Sequence, residues 1–280
     1  MAKKQTPKRT IVGSPLTPSL LKELSAVDEF PETPKDFDPQ AYWVNMYRIW
    51  TCHGFRESGN QNVGFLRIER TAGKANQPII LKVRQEVIQT DGLLHTLDAK
   101  IKCLNNQLAS PVQWHLRSNF LDPNRQNIHD LGTDEIAVID GNIINIRARG
   151  GHKFRREVRG LLTSDWCLFE AVQRLKFDKE PSLNFDMLEG LGLLKQGQCL
   201  SYSGAYPMKM GGKNVSLHRF DQLGDGILPY EYWLDNNLRL VAVTSMNKAY
   251  ILDGQAEKTI KQRIEQLRKS YRKTKSSVRK

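Results

Sequence analysis

With 280 residues and 39% hydrophobic side chains, the chain can bury a sizeable core as one large domain or two ordinary ones, which excludes disorder of the whole. Its formal charge of +12 lies in the ends: Lys3, Lys4, Lys8 and Arg9 open the chain, and residues 254–280 hold ten Lys/Arg against Glu257 and Glu265. Residues 11–253 balance 28 basic against 28 acidic side chains, which argues against a basic groove across the fold and for ends that meet an anionic partner.

The basic start leads into Ile11, Val12 and Gly13 and at once into Ser14 and Pro15, so the apolar centre of a signal peptide does not develop. The expectation is a cytoplasmic chain; an envelope location would require a truncated start. No run approaches the ~18 apolar residues that span a bilayer. Thr17 and Pro18 suit the cap and first turn of a short helix over Leu20, Leu21 and Leu24. Glu29 to Pro39, with three prolines among acids, reads as a linker, and Ala41 to Trp50 fits either helix or strand.

From Val63 the period is two. Leu66 and Ile68 alternate with Arg67 and Glu69, and Ile79, Leu81, Val83 and Val87 with Lys82, Arg84 and Glu86. Thr90-Asp91-Gly92 is a hairpin signal, and Leu93 to Cys103 returns in the same alternation. Strands follow at 112–121, 136–139 and 143–148, the last two joined through Asp140-Gly141-Asn142. Thr163 to Leu175 is the clear helix of the body, with a cap at Thr163 or Ser164, Asp165 in its first turn, Arg174 in its last, and a stripe of Trp166, Leu168, Phe169, Val172 and Leu175. Strands resume at 198–204, 215–220, 230–235, 238–246 and 249–252. In the tail, Ile260, Ile264, Leu267 and Tyr271 share one helical face, and cations occupy much of the rest.

The fold class expected is mainly β (α+β): one large, curved antiparallel sheet of half-barrel type, with nine or ten strands between Val63 and Leu252, wrapping a short central helix. The organisation expected is an N-terminal arm and helical segment (1–60), the half-barrel (61–254) and a basic helical tail (255–280). The run Thr163 to Leu175, followed by Phe185-Asp186-Met187-Leu188-Glu189, Gly226-Ile227-Leu228-Pro229, Tyr232-Trp233-Leu234-Asp235 and Ala249-Tyr250-Ile251-Leu252-Asp253, resembles bacterial domains of unknown function similar in fold to the lipoprotein-carrier (Lol-type) β half-barrels. The resemblance covers about residues 60–253. It implies a curved sheet around a short helix and, by analogy with carriers, a lipid-like ligand.

Local chemistry is sparse. His53, His95, His115, His129, His152 and His218 form no H-x-x-x-H or H-E-x-x-H pattern, so no metal site is expected, and His95 falls on the apolar register of its strand. Cys52, Cys103, Cys167 and Cys199 contain no C-x-x-C and read as buried thiols. Gly-x-Ser-x-Gly is absent, and Ser201-Tyr202-Ser203-Gly204 sits in a strand pattern. Gly190-Leu191-Gly192 and Gly211-Gly212-Lys213 read as turns, and the Asn214-Val215-Ser216 sequon as accidental. Asp186 with Glu189 and Asp134 with Glu135 could form carboxylate pairs, though paired acids on turns are usually solvated. No catalytic residue, metal or cofactor is assigned, and the reading leans away from an enzyme.

Two binding roles remain. In the first, Trp114, Leu116, Phe120, Trp166 and Phe169 line the concave face and hold an apolar or amphipathic, lipid-like ligand, against the alternative that they simply pack the helix into the sheet. In the second, Lys261, Arg263, Arg268, Lys269, Arg272, Lys273, Lys275, Arg279 and Lys280 attach the chain to a polyanion, nucleic acid or an anionic membrane surface. Against that stands a solvated basic helix whose Ile260, Ile264 and Leu267 dock on the sheet. Ligand identity and oligomeric state are not fixed by the sequence.

Overall fold

The computed structural model describes residues 32–51, 61–71, 77–128, 131–178, 182–210 and 213–278. The helix expected over Leu20 to Leu24, together with Cys52, His53, His129 and Gly211-Gly212, lies outside them.

Fifteen strands among these residues form one sheet. They are β1 (Trp43–Thr51), β2 (Gln61–Thr71), β3 (Ile79–Ile88), β4 (Leu94–Cys103), β5 (Pro111–Leu121), β6 (Thr133–Asp140), β7 (Ile143–Ala148), β8 (Lys153–Glu157), β9 (Leu162–Ser164), β10 (Leu183–Glu189), β11 (Leu193–Met210), β12 (Lys213–Gly224), β13 (Tyr230–Leu234), β14 (Leu240–Ser245) and β15 (Lys248–Leu252). The spatial order is β8-β7-β6-β5-β4-β3-β2-β1-β15-β14-β13-β12-β11-β10-β9. The chain therefore starts in the middle of the sheet, meanders to one edge, crosses to the other and meanders back until β15 pairs with β1. Every neighbouring pair is antiparallel except β9 with β10. The two edges are consecutive in sequence, joined only by residues 158–161.

The alternating pattern builds the first half directly. Leu66, Ile68, Leu81, Val83, Leu97, Ala99 and Ile101 turn to one face and are buried, while Glu69 and Lys82, opposite each other on the other face, ion-pair at 2.7 Å. The β3–β4 turn is the one the sequence announces: Gly92 has φ +82°, and Asp91 Oδ1 accepts from Leu93 N at 3.0 Å.

Inside the sheet lies α1 (Asp165–Ala171), continued by one tight turn over Val172–Arg174. It begins at Asp165, as a cap at Ser164 implies, and the residues before it, Leu162–Ser164, are drawn out as β9 beside β10, with Thr163 Oγ1 donating to Leu108 O at 2.7 Å. Ser164 is the cap; its Oγ accepts from Cys167 N at 3.1 Å. Outside the sheet, α2 (Ala256–Val278) lays Ala256, Ile260 and Ile264 on Phe65, Ile88 and Leu94, with Leu267 at the margin. Asp253 starts this helix, accepting from Gln255 N at 2.8 Å and pairing with Arg48 at 2.6 Å. Among the described residues no helix is long and apolar enough to cross a membrane.

The sheet is larger than the pattern foretells. Trp43–Thr51, undecided between helix and strand, is β1; it pairs with both β2 and β15, so the sheet begins upstream of residue 61. β8 carries almost no apolar alternation, and β10 and the first residues of β11 are interrupted by a bulge near Asp186 that shifts their register.

Candidate functional site

The residues expected to line a ligand face are brought together and closed off. Trp114, Leu116, Trp166 and Phe169 are 1–4% exposed members of a single core. Phe169 is ringed edge-on by Tyr47 and Tyr250 at 5.3 Å and Tyr232 at 6.3 Å. Phe120 stays half-buried and stacks on His95 at 4.6 Å instead. Of the two readings of these five residues, the close fit of the helix favours the packed one for Trp114, Leu116, Trp166 and Phe169, while Phe120 lies outside that core.

Polar groups lock the same helix. Glu170 is fully buried and accepts from Arg70 Nε at 2.8 Å and from Arg174 Nε and Nη2 at 2.7 and 2.8 Å. Arg70 also donates to Gln40 O and Ala41 O, and Arg174 to Asn106 O at 2.6 Å. Gln173 Oε1 accepts from Leu240 N and Asn45 Nδ2. Each buried charge is matched by opposite charge and by carbonyls, which is the condition for burying charge at all. Cys103 and Cys167 lie with sulfurs 3.7 Å apart as buried thiols, and the hydrogen bond between them, with burial, holds Cys103 well above the usual thiol range.

The proposed carboxylate pairs do not form, because each acid is held by partners of its own. Asp186 accepts from Arg159 N at 2.8 Å and Gly197 N at 3.3 Å, whereas Glu189 is exposed, 3.9 Å from Lys195. Asp134 binds His115 at 2.7 Å, which with Arg117 holds its carboxyl below the usual range; Glu135 accepts from Thr133. Two other carboxyls are pushed up by burial, Asp165 to about 6 and Glu231 to about 7, the latter against the pull of Arg219. Asp165 fastens α1 to the β10–β11 turn, accepting from Trp166 N and Gly190 N. His95 meets Ser118 at 2.8 Å, and His218 meets Tyr202 and Asn236, so these rings serve packing and hydrogen bonding. Among the described residues no group of three His, Cys, Asp or Glu is placed to hold a metal ion.

A large opening lies where the sheet fails to close. The link from β8 to β9 is stitched to β10 by Arg159 N on Asp186 and by Asp186 N on Leu161 O at 2.7 Å, and Gln196 reaches Glu157 O at 3.4 Å. Beyond these stitches β8 and β10 part around a cleft of about 1090 Å³, lined by Arg155, Arg156, Arg159, Gly160, Asn184, Phe185, Asp186, residues 194–198, Asp225 and Gly226. Four cations, Arg155, Arg156, Arg159 and Lys195, meet two carboxylates there, and Asp186 is already engaged by two backbone N–H groups. Arg156 Nε is buried with no hydrogen-bond partner among the described residues. The sequence held one signal for this site, the cluster Lys153-Phe154-Arg155-Arg156 with Arg159; an even charge balance over residues 11–253 conceals it.

In the tail, Lys261 pairs with Glu257 at 2.8 Å, Arg268 with Glu265 at 3.5 Å, and Arg263 donates to Asn62 O. Lys269 is exposed, Arg272, Lys273 and Lys275 continue α2, and Arg279 and Lys280 lie outside the described residues.

No known protein family and no curated protein matches the chain. Among solved structures it is similar to a β-barrel-like protein of the domain of unknown function DUF1849 from Brucella abortus, at 8% identity over 76% of this chain and 96% of that one, with a TM-score of 0.51. At that identity the likeness is one of fold alone: a β-barrel-like architecture shared with a bacterial domain of unknown function.

Proposed function

We propose that the chain is a non-catalytic binding domain that takes its partner at the seam between β8 and β10–β11, and that the partner combines anionic with apolar groups. One observation carries this reading: the interior is filled, while a cleft of about 1090 Å³ with surplus positive charge stands where the two sheet edges approach. Arg155, Arg159 and Lys195 suit the anionic part; Leu194, in the cleft, and Leu161, half exposed beside it, suit the apolar part. The analogy with Lol-type carriers supports binding of an amphipathic molecule, relocated from the concave face to the seam.

Gly160 supplies the test. A Cβ added there meets nothing within 4 Å, so Gly160→Trp sets a bulky side chain on the wall of the cleft with no clash at its Cβ. Native mass spectrometry of the full chain as purified, and titration with a dansyl-labelled fatty acid, should show a bound species that Gly160→Trp removes at unchanged melting temperature. Binding that survives Gly160→Trp overturns the seam as the site.

Attachment to an anionic surface through α2 is a second reading, favoured by the docking of its apolar face, which turns Lys258, Lys261 and Lys269 outward. Removing residues 256–280 would uncover Phe65, Ile88 and Leu94, so the cleaner experiment is Lys258→Glu with Lys269→Glu, read as loss of salt-dependent binding to a polyanion.

A further inference from the structure

We infer that the seam receives an extended acidic peptide, added as a strand along β8. The inference rests on the seam reading and names the class of partner.

Three features converge on it. β8 pairs only with β7 among the described residues, so one edge of its five residues, about 17 Å of backbone, has amide and carbonyl groups without a strand partner. Across the cleft, β9 covers β10 at Asp186–Leu188, which leaves Leu183–Phe185 without a strand partner on that edge among the described residues. A guest strand would meet backbone on both sides and complete the ring that the sheet leaves unclosed.

Charge selects the guest. Lys153, Arg155 and Arg156 lie on β8, and Arg159 follows; among the described residues the guanidinium groups of Arg155, Arg156 and Arg159 have no carboxylate partner. Charges on an edge strand ordinarily prevent edge-to-edge association. Here they are almost all of one sign, so they repel a second copy of β8 and attract an acidic strand. Apolar side chains of the guest would find Phe154, 48% exposed on the strand itself, which alternation places on the face opposite Arg155.

The test uses the full chain and a fluorescein-labelled peptide alternating Glu with Val and Thr, its counterpart with Lys in place of Glu, inorganic phosphate, and phosphatidylglycerol vesicles. The acidic peptide should bind with salt-sensitive affinity and slow amide exchange over residues 153–157, and Arg155→Glu with Arg159→Glu should weaken it by about tenfold or more. Equal binding of the Lys peptide, or binding without slowed exchange at 153–157, overturns the inference. If phosphate or vesicles bind and the acidic peptide does not, the peptide assignment falls, and the seam reading stands where Gly160→Trp abolishes that binding. Binding of none of these probes overturns the peptide inference alone, and the seam reading is then decided by the labelled fatty acid with Gly160→Trp.

Discussion

The interior around α1 and the seam at β8 handle charge in opposite ways. Inside, Glu170 is shared by Arg70 and Arg174, and Gln173 meets donors from β1 and the start of β14; each group is satisfied by the fold itself. At the seam, Arg155, Arg156 and Arg159 have no carboxylate partner among the described residues, and Arg156 Nε is buried without a hydrogen-bond partner among them. Matched charges hold the shape of the fold, and the unmatched ones are what the proposed partner rests on.

That contrast can be broken at either end. Glu170→Ala leaves two buried guanidinium groups facing each other, and should cost about 3–5 kcal/mol in urea unfolding. A loss below about 1 kcal/mol would mean that water already reaches the cluster. Phe169→Ala should cost a similar 3–5 kcal/mol if the core is filled as described. A near-neutral effect, with uptake of an apolar probe, would reopen the concave face as a ligand site.

The pH dependence should be gentler. Burial pushes Glu231 up to about 7, so the folded chain keeps this proton at pH values where the unfolded chain has lost it. Stability contributed by this group therefore falls as pH rises from the ordinary carboxylate range toward 7. The melting temperature should decline over that window, and Glu231→Gln should flatten the decline; an unchanged slope would assign it elsewhere, with Asp165, raised to about 6, the next group to replace. The smallest effect belongs to the seam: Arg155→Glu and Arg159→Glu should each move stability by no more than about 0.5 kcal/mol. A larger loss would make these arginines part of the scaffold and blur the contrast.

The fold was legible wherever one strand face is wet and the other dry. β2 to β4 could be written from alternation, and Ser164 and the Trp166–Phe169 stripe announced an inner helix. The face shared by Ile260, Ile264 and Leu267 announced the docking of α2. β1 was ambiguous because its two faces differ little in composition: Trp43, Tyr47 and Ile49 share their buried face with the polar Asn45, while Val44 and Met46 lie half-buried on the other. β8 was invisible for the opposite reason, since Lys153 to Glu157 is mostly exposed and has no apolar rhythm. The candidate ligand residues were legible as a group while their role stayed open between packing and lining a cavity, because a stripe that packs and a stripe that lines a cavity have the same composition.

By itself, the sequence determined a curved antiparallel sheet around one short helix, with a second amphipathic helix at the end, because periodicity is a local property of the chain. Only the tertiary structure decided that the interior is full, that the sheet begins in its own middle, and that its last two edges meet around a basic cleft. Those facts depend on which distant strands become neighbours, as Arg155 and Lys195 do across the seam, and no local pattern encodes that distance.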